Sequence, residues 1–133
     1  MAWKNYNPGS KSKYRSTKVE IDGIKFDSLK EGRRYSELKL LEKQGEISNL
    51  ELQKKFILIP AQRGPDTIGP RGGIKQGPLL ERECAYYADF AYTDNTTGEM
   101  VIEDTKSPIT RTTEYRIKRK LMLYNYGIQI KEL

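Results

Sequence analysis

The chain predicts a mixed α+β domain: a central mixed sheet flanked by helices. Three observations carry this. Residues 28 to 44 and Thr112 to Tyr126 have helical apolar spacing. Between them lie three stretches rich in Ile, Val, Tyr and Phe, and Ile128 to Leu133 alternates as a last strand. The order helix, strand, strand, strand, helix, strand buries apolar faces only if the strands share one sheet under the helices.

Residues 1 to 18 hold Lys4, Lys11, Lys13, Arg15 and Lys18 without an acid, and are expected to form a basic flexible arm ahead of a single domain at 19–133. Val19 to Phe26 is two short extended pieces around Asp22-Gly23, a hairpin signal. Ser28-Leu29-Lys30-Glu31 fits a capping box, and Gly45 suits the end of that helix, whose stripe is Leu29, Tyr35, Leu38 and Leu41. Leu50 to Pro60 holds a buried strand, Phe56 to Ile59, ended by proline. Residues 62 to 78 are dense in Gly and Pro and are expected to be an irregular loop. Glu81 to Thr93 and Glu99 to Ser107 pair as a hairpin around Asp94 to Gly98. The second helix would bury Ile117, Leu121 and Tyr124, with Gly127 as its cap.

The chain has 133 residues, 36% hydrophobic and 32% charged, enough for one core and too few for two. It lacks an apolar membrane-length run and a secretory leader, so a cytoplasmic protein is expected. With one cysteine, Cys84, and no histidine, it has no internal disulfide, no Ser-His or Cys-His pair and no ordinary zinc site. A metal would therefore need oxygen ligands, which suits Mg²⁺ or Mn²⁺. The net charge is +6, and its clustering favours a polyanion, nucleic acid first. Candidate DNA contacts are Lys11, Lys13 and Arg15 in the arm, Arg71 and Lys75 in the loop, and Arg111, Arg116, Lys118, Arg119 and Lys120 at the second helix.

Asp89 stands inside the aromatic run Tyr86 to Tyr92, where a carboxylate needs a partner. Asp104 and Lys106, two apart on the hairpin's other strand, share a face, and Glu103 takes the opposite one. A register shifted by one would exchange Glu103 for Asp104. Asp89 falls within reach of Asp104, and a divalent ion between the two would remove their repulsion. An acid-x-Lys triplet alone means little, since about one arises by chance in a chain this size. Glu37-Leu38-Lys39 is such a decoy, on a helix where i and i+2 diverge. Glu31 by itself is a capping-box glutamate.

Asp89 followed by Asp104-x-Lys106, in this element order, resembles the αβββαβ core of the PD-(D/E)XK, restriction-endonuclease-like superfamily. Phe26 to Glu31, Arg34-Tyr35-x-x-Leu38, Tyr87-Ala88-Asp89-Phe90-x-Tyr92 and Val101 to Lys106 resemble more closely a family of small phage and prophage proteins long labelled as of unknown function. That family is placed near phage Holliday-junction resolvases. Ala88 stands at the motif's proline position. The resemblance implies Asp89 and Asp104 as metal ligands, Glu31 completing the site, and Lys106 positioning or activating water. It implies a Mg²⁺-dependent endonuclease on DNA, with branched DNA the favoured substrate and a homodimer the expected form. The alternatives are an inactive basic DNA-binding module, an end-processing or non-specific phage nuclease, and a basic RNA-binding protein.

Overall fold

A computed structural model describes residues 18–106 and 110–133; the arm residues Lys11, Lys13 and Arg15 lie outside them. The elements are β1 (Val19–Ile21), β2 (Ile24–Phe26), α1 (Leu29–Lys43), β3 (Ile47–Ile59), β4 (Gln62–Arg63), β5 (Thr67–Ile68), β6 (Ile74–Lys75), β7 (Leu79–Glu81), β8 (Cys84–Asp94), β9 (Met100–Asp104), α2 (Thr113–Tyr126) and β10 (Lys131–Glu132). A four-stranded mixed sheet runs β10-β9-β8-β3, parallel only between β10 and β9. With β4 to β7 set aside as an excursion between β3 and β8, the order from α1 onward is αβββαβ. The fold is thus the mixed α+β domain that the sequence predicts.

Local chemistry explains the frame. Asp22 and Gly23 both have positive φ, 54° and 76°, as the tight turn between β1 and β2 requires. Ser28 caps α1, its Oγ accepting from the Glu31 amide at 3.1 Å. The helix closes with Gly45 at φ 78°, its amide donating to Glu42 while that of Glu46 donates to Leu41. Gly32, on the face under β1, has no room for a side chain: a Cβ there would lie 2.6 Å from Val19 Cγ2.

Phe26, Tyr35, Leu38, Ile47, Phe90 and Tyr92 form the core beneath α1. Phe56, Leu58, Tyr86, Ala88, Ala91, Ile102, Tyr115, Met122 and Ile130 form the core beneath α2. Phe90 and Ala91 are adjacent yet belong to different cores, as do Val101 and Ile102. Successive strand residues face opposite sides, so the two cores cover the two faces of the sheet. The alternation itself breaks at one point. Ala88 and Phe90 share parity, but Ala88 lies with α2 and Phe90 with α1. Next door on β3, Phe56 lies with α2 and Leu52 with α1, and between them Gln53 takes φ 50°, rare for a non-glycine residue. The sheet changes face at Gln53 and Asp89.

Four expectations need correction. The strand expected from Leu50 starts at Ile47, and Ile57 and Ile59 are exposed; of Phe56 to Ile59 only Phe56 and Leu58 are buried, because one side of this part of the strand is left open. Helix α2 buries Tyr115 and Met122, with Leu121 partly covered, while Ile117 and Tyr124 point outward, since the apolar residues on that helix do not form a single stripe. The final strand is two residues rather than six. Residues 62 to 78 are not irregular: the glycines and prolines build turns between β4 and β7 and between β5 and β6. None of the described helices is long and apolar enough to cross a membrane.

Candidate active site at the end of β9

The β8–β9 register ends with Phe90 opposite Glu103, and the next residues on the two strands, Asp89 and Asp104, interact through their carboxyl groups. Thr105 binds the Asp89 carboxylate from both its amide, at 2.9 Å, and its hydroxyl, at 2.7 Å, each to Oδ2. Gln53 donates to the other oxygen, Oδ1, at 3.1 Å. The two residues at the face change thus meet through their side chains.

Asp104 is 2% exposed. Its Oδ2 accepts from the Tyr86 hydroxyl at 2.6 Å and lies 3.4 Å from Lys106 Nζ. That ammonium also sits 4.4 Å from the centre of the Tyr115 ring, a cation–π placement that holds it on the site side of α2. Glu31 enters from the first turn of α1 and is buried; its amide, rather than its carboxylate, is the group bonded to Ser28.

Crowding of acids dominates the electrostatics. Burial, then the charges of Asp89, Asp27 and Asp104, push Glu31 up to about 7. Burial, then hydrogen bonding and repulsion from Asp89, push Asp104 up to about 7 against the opposing pull of Tyr86 and Lys106. Burial and the neighbouring Asp104 raise the Tyr86 phenol, which stays a hydrogen-bond donor. Asp89, Asp104 and Lys106 thus meet at one end of β9, and the charges of Asp89 and Asp104 reach Glu31.

The donors fit a hard cation. Asp89 and Asp104 face each other with oxygen atoms alone, and their mutual repulsion is what a divalent ion would relieve. Among the described residues, no three Cys, Asp or Glu side chains gather tightly enough to form a ready-made metal cage. Asp89 and Asp104 could supply two oxygen donors to such an ion, with the charge of Glu31 nearby.

Glu103 is committed elsewhere. On the α1 face it accepts from Arg34 Nε at 2.7 Å and Nη2 at 2.8 Å, and from the Tyr92 hydroxyl. Burial works against its charge, but the Arg34 and Tyr92 hydrogen bonds prevail and hold it below the usual range. The decoy triplet is likewise occupied: Glu37 pairs with Arg34 and Lys39 with Glu42, with Leu38 buried between.

Of the basic residues, Arg111 and Arg119 both pair with Glu132, at 2.9 and 2.6 Å, and Lys118 with Glu114 at 3.1 Å. Arg71, Lys75, Arg116 and Lys120 are exposed. Sequence reasoning passed over Tyr86, Thr105, Gln53 and Tyr115, which orient the acids and the lysine. Thr105 and Tyr86 were within reach, being the middle of the triplet and the residue three before Asp89. Gln53 carried no signal, because its contact depends on the face change.

A family model described as a protein of unknown function (DUF1064) matches residues 11–132, and the chain belongs to that family. No curated protein and no solved structure matches it.

Proposed function

We propose that the chain is a Mg²⁺-dependent DNA endonuclease of the PD-(D/E)XK type, acting on branched DNA as a homodimer. The observation that carries this reading is Asp89 interacting with Asp104 through their carboxyl groups, with Lys106 3.4 Å from the second carboxylate and Glu31 feeling the charge of both acids. Asp89 and Asp104 would hold the ion, with Glu31 alongside. When bound, the ion supplies Lewis acidity at the scissile phosphate and makes water acidic enough to attack near neutral pH.

The chain's own groups do the rest. Thr105 and Gln53 fix the Asp89 carboxylate, and Tyr86 fixes that of Asp104. Lys106, steered by the Tyr115 ring, places a positive charge where negative charge develops on the phosphate oxygens. Exposed Arg116 and Lys120 hold the DNA backbone without reading bases. Cutting a junction symmetrically requires two such sites related by a two-fold axis.

The test is cleavage of a labelled synthetic four-way junction beside a linear duplex of the same sequence, in Mg²⁺, in EDTA and with Asp104→Ala. Metal-dependent junction cutting, lost in the variant, is the expected result. Cutting of both substrates alike would drop junction selectivity and keep the nuclease. Junction binding without cutting in Mg²⁺ or Mn²⁺ would leave a DNA-binding module.

A further inference from the structure

Between β3 and β8 the chain leaves the sheet as a two-stranded ribbon. Its neck is β4 paired with β7, and its tip is β5 paired with β6. The neck is tightly built. Gly77 crosses so close to Gly64 that a Cβ there would lie 1.9 Å from the Gly64 carbonyl oxygen. Arg63 donates to the Gly77 carbonyl at 3.1 Å, and Asp66 accepts from the Gly77 amide at 2.7 Å.

The tip is a formed turn. The Gly72 amide donates to Gly69 at 3.0 Å and the Gly69 amide to Gly73 at 2.7 Å, with Gly72 at φ 79°. This is the three-residue hairpin loop, Pro70 to Gly72, with a left-handed glycine at its end, and Pro70 stiffens its first position. Ile68 and Ile74 are directly paired across the ribbon, so they project from one side of it, and they are 80% and 83% exposed. From Thr67 to Leu80 the only charged residues are Arg71 and Lys75. An apolar pair held out on a stiff arm beside two cations has no occupant within the described chain.

We propose that this ribbon is a DNA arm: Arg71 and Lys75 contact phosphates while Ile68 and Ile74 wedge against an opened base step at a branch point. The inference rests on the nuclease reading and adds to it a device that selects branched substrate. Charge complementarity favours DNA over a second copy of the tip, which would bring Arg71 and Lys75 against their own kind. Small proteins that bend DNA push apolar side chains between base steps in this way, at the cost of unstacking. A branch has already lost stacking at its centre, so the wedge costs least there.

The experiment measures binding of the full chain, in Ca²⁺ or EDTA so that nothing is cut, to a fluorescein-labelled four-way junction and to a linear duplex across a salt series. A second junction carries 2-aminopurine at the branch to report unstacking. Ile68→Ser/Ile74→Ser is expected to weaken junction binding about tenfold. It should also remove the 2-aminopurine brightening and leave the salt slope as in the wild type. Arg71→Ala/Lys75→Ala is expected to lower that slope by about 2. Wild-type binding with brightening, unaltered by the isoleucine variant, would overturn the ribbon proposal and leave the nuclease reading standing. Loss of a dimer in that variant with DNA affinity intact would make the tip a protein contact and also overturn it. Absence of any DNA binding by the wild type would overturn both.

Discussion

Arg34 grips Glu103 with two prongs, Nε at 2.7 Å and Nη2 at 2.8 Å, joining α1 to β9 across one face of the sheet. Glu103 is fully buried, so removing Arg34 leaves its charge to the Tyr92 hydroxyl and to Lys131 Nζ, 4.0 Å away. Arg34→Ala is expected to destabilise the fold by about 3 kcal/mol, read from urea denaturation midpoints. Arg34→Ala/Glu103→Gln should be less destabilised than Arg34→Ala alone, because the buried charge is gone. Equal stability of the single and double variants would show that the pair does not hold α1 in place.

The acids on the other face behave in the opposite sense. Asp104→Asn keeps the size and the acceptor for Tyr86 while removing one of the crowded charges. In metal-free buffer near pH 8 the variant should melt at a temperature equal to or above that of the wild type, by up to ~1 kcal/mol of stability, while cleavage is abolished. A large loss of stability instead would mean that the carboxylate supports the fold.

Crowding also sets a pH dependence. Glu31 and Asp104 rise from ordinary values of 4.5 and 3.8 to about 7 in the fold. Between those limits the folded chain binds more protons than the unfolded chain, so stability falls as pH rises through the window. The groups held low, Glu103, Glu42 and Glu132, act in the reverse sense but below their ordinary range. Urea midpoints in EDTA should therefore decline from pH 5 to pH 8. Adding Mg²⁺ should recover the loss at pH 8 and do little at pH 5. A flat profile, or equal recovery at both pH values, would count against an ion shared by these acids.

Lys106→Met retains the stem against Tyr115 and removes the ammonium. Cleavage should drop roughly 100-fold or more, as for loss of a charge-stabilising donor. Near pH 6 stability should change by less than about 1 kcal/mol, since Asp104, raised to about 7, can take up a proton once the ammonium is gone. Wild-type cleavage rates in this variant would remove Lys106 from the chemistry.

How far the sequence could be read follows from which signals are local. Ser28, Gly45, Asp22-Gly23 and Gly127 act within a few residues of themselves, and the structure has each at the boundary expected of it. Asp89, Asp104 and Lys106 were legible because a hairpin and a two-residue period suffice to bring them together. The outward turn of Ile117 and Tyr124 was not, because which stripe of α2 meets the sheet is decided by Tyr115 and Met122 fitting under it. The ribbon was missed for a different reason. Pro70 and Gly72 mark turns as readily as disorder, and only the Ile68–Ile74 pairing distinguishes the two.

The change of face at Gln53 and Asp89 has a mechanical meaning. Before that point the buried residues Tyr86 and Ala88 of β8 pack with the α2 core; beyond it Phe90 and Tyr92 pack with the α1 core and Ala91 with the α2 core, so Asp89 stands where the strand begins to be gripped from both faces. Such a point moves when either core moves. Loosening Leu38 under α1 or Met122 under α2 would therefore shift the same carboxylate, although each of those residues belongs to a different core. The position of that carboxylate is thus a gauge of how the two cores are aligned.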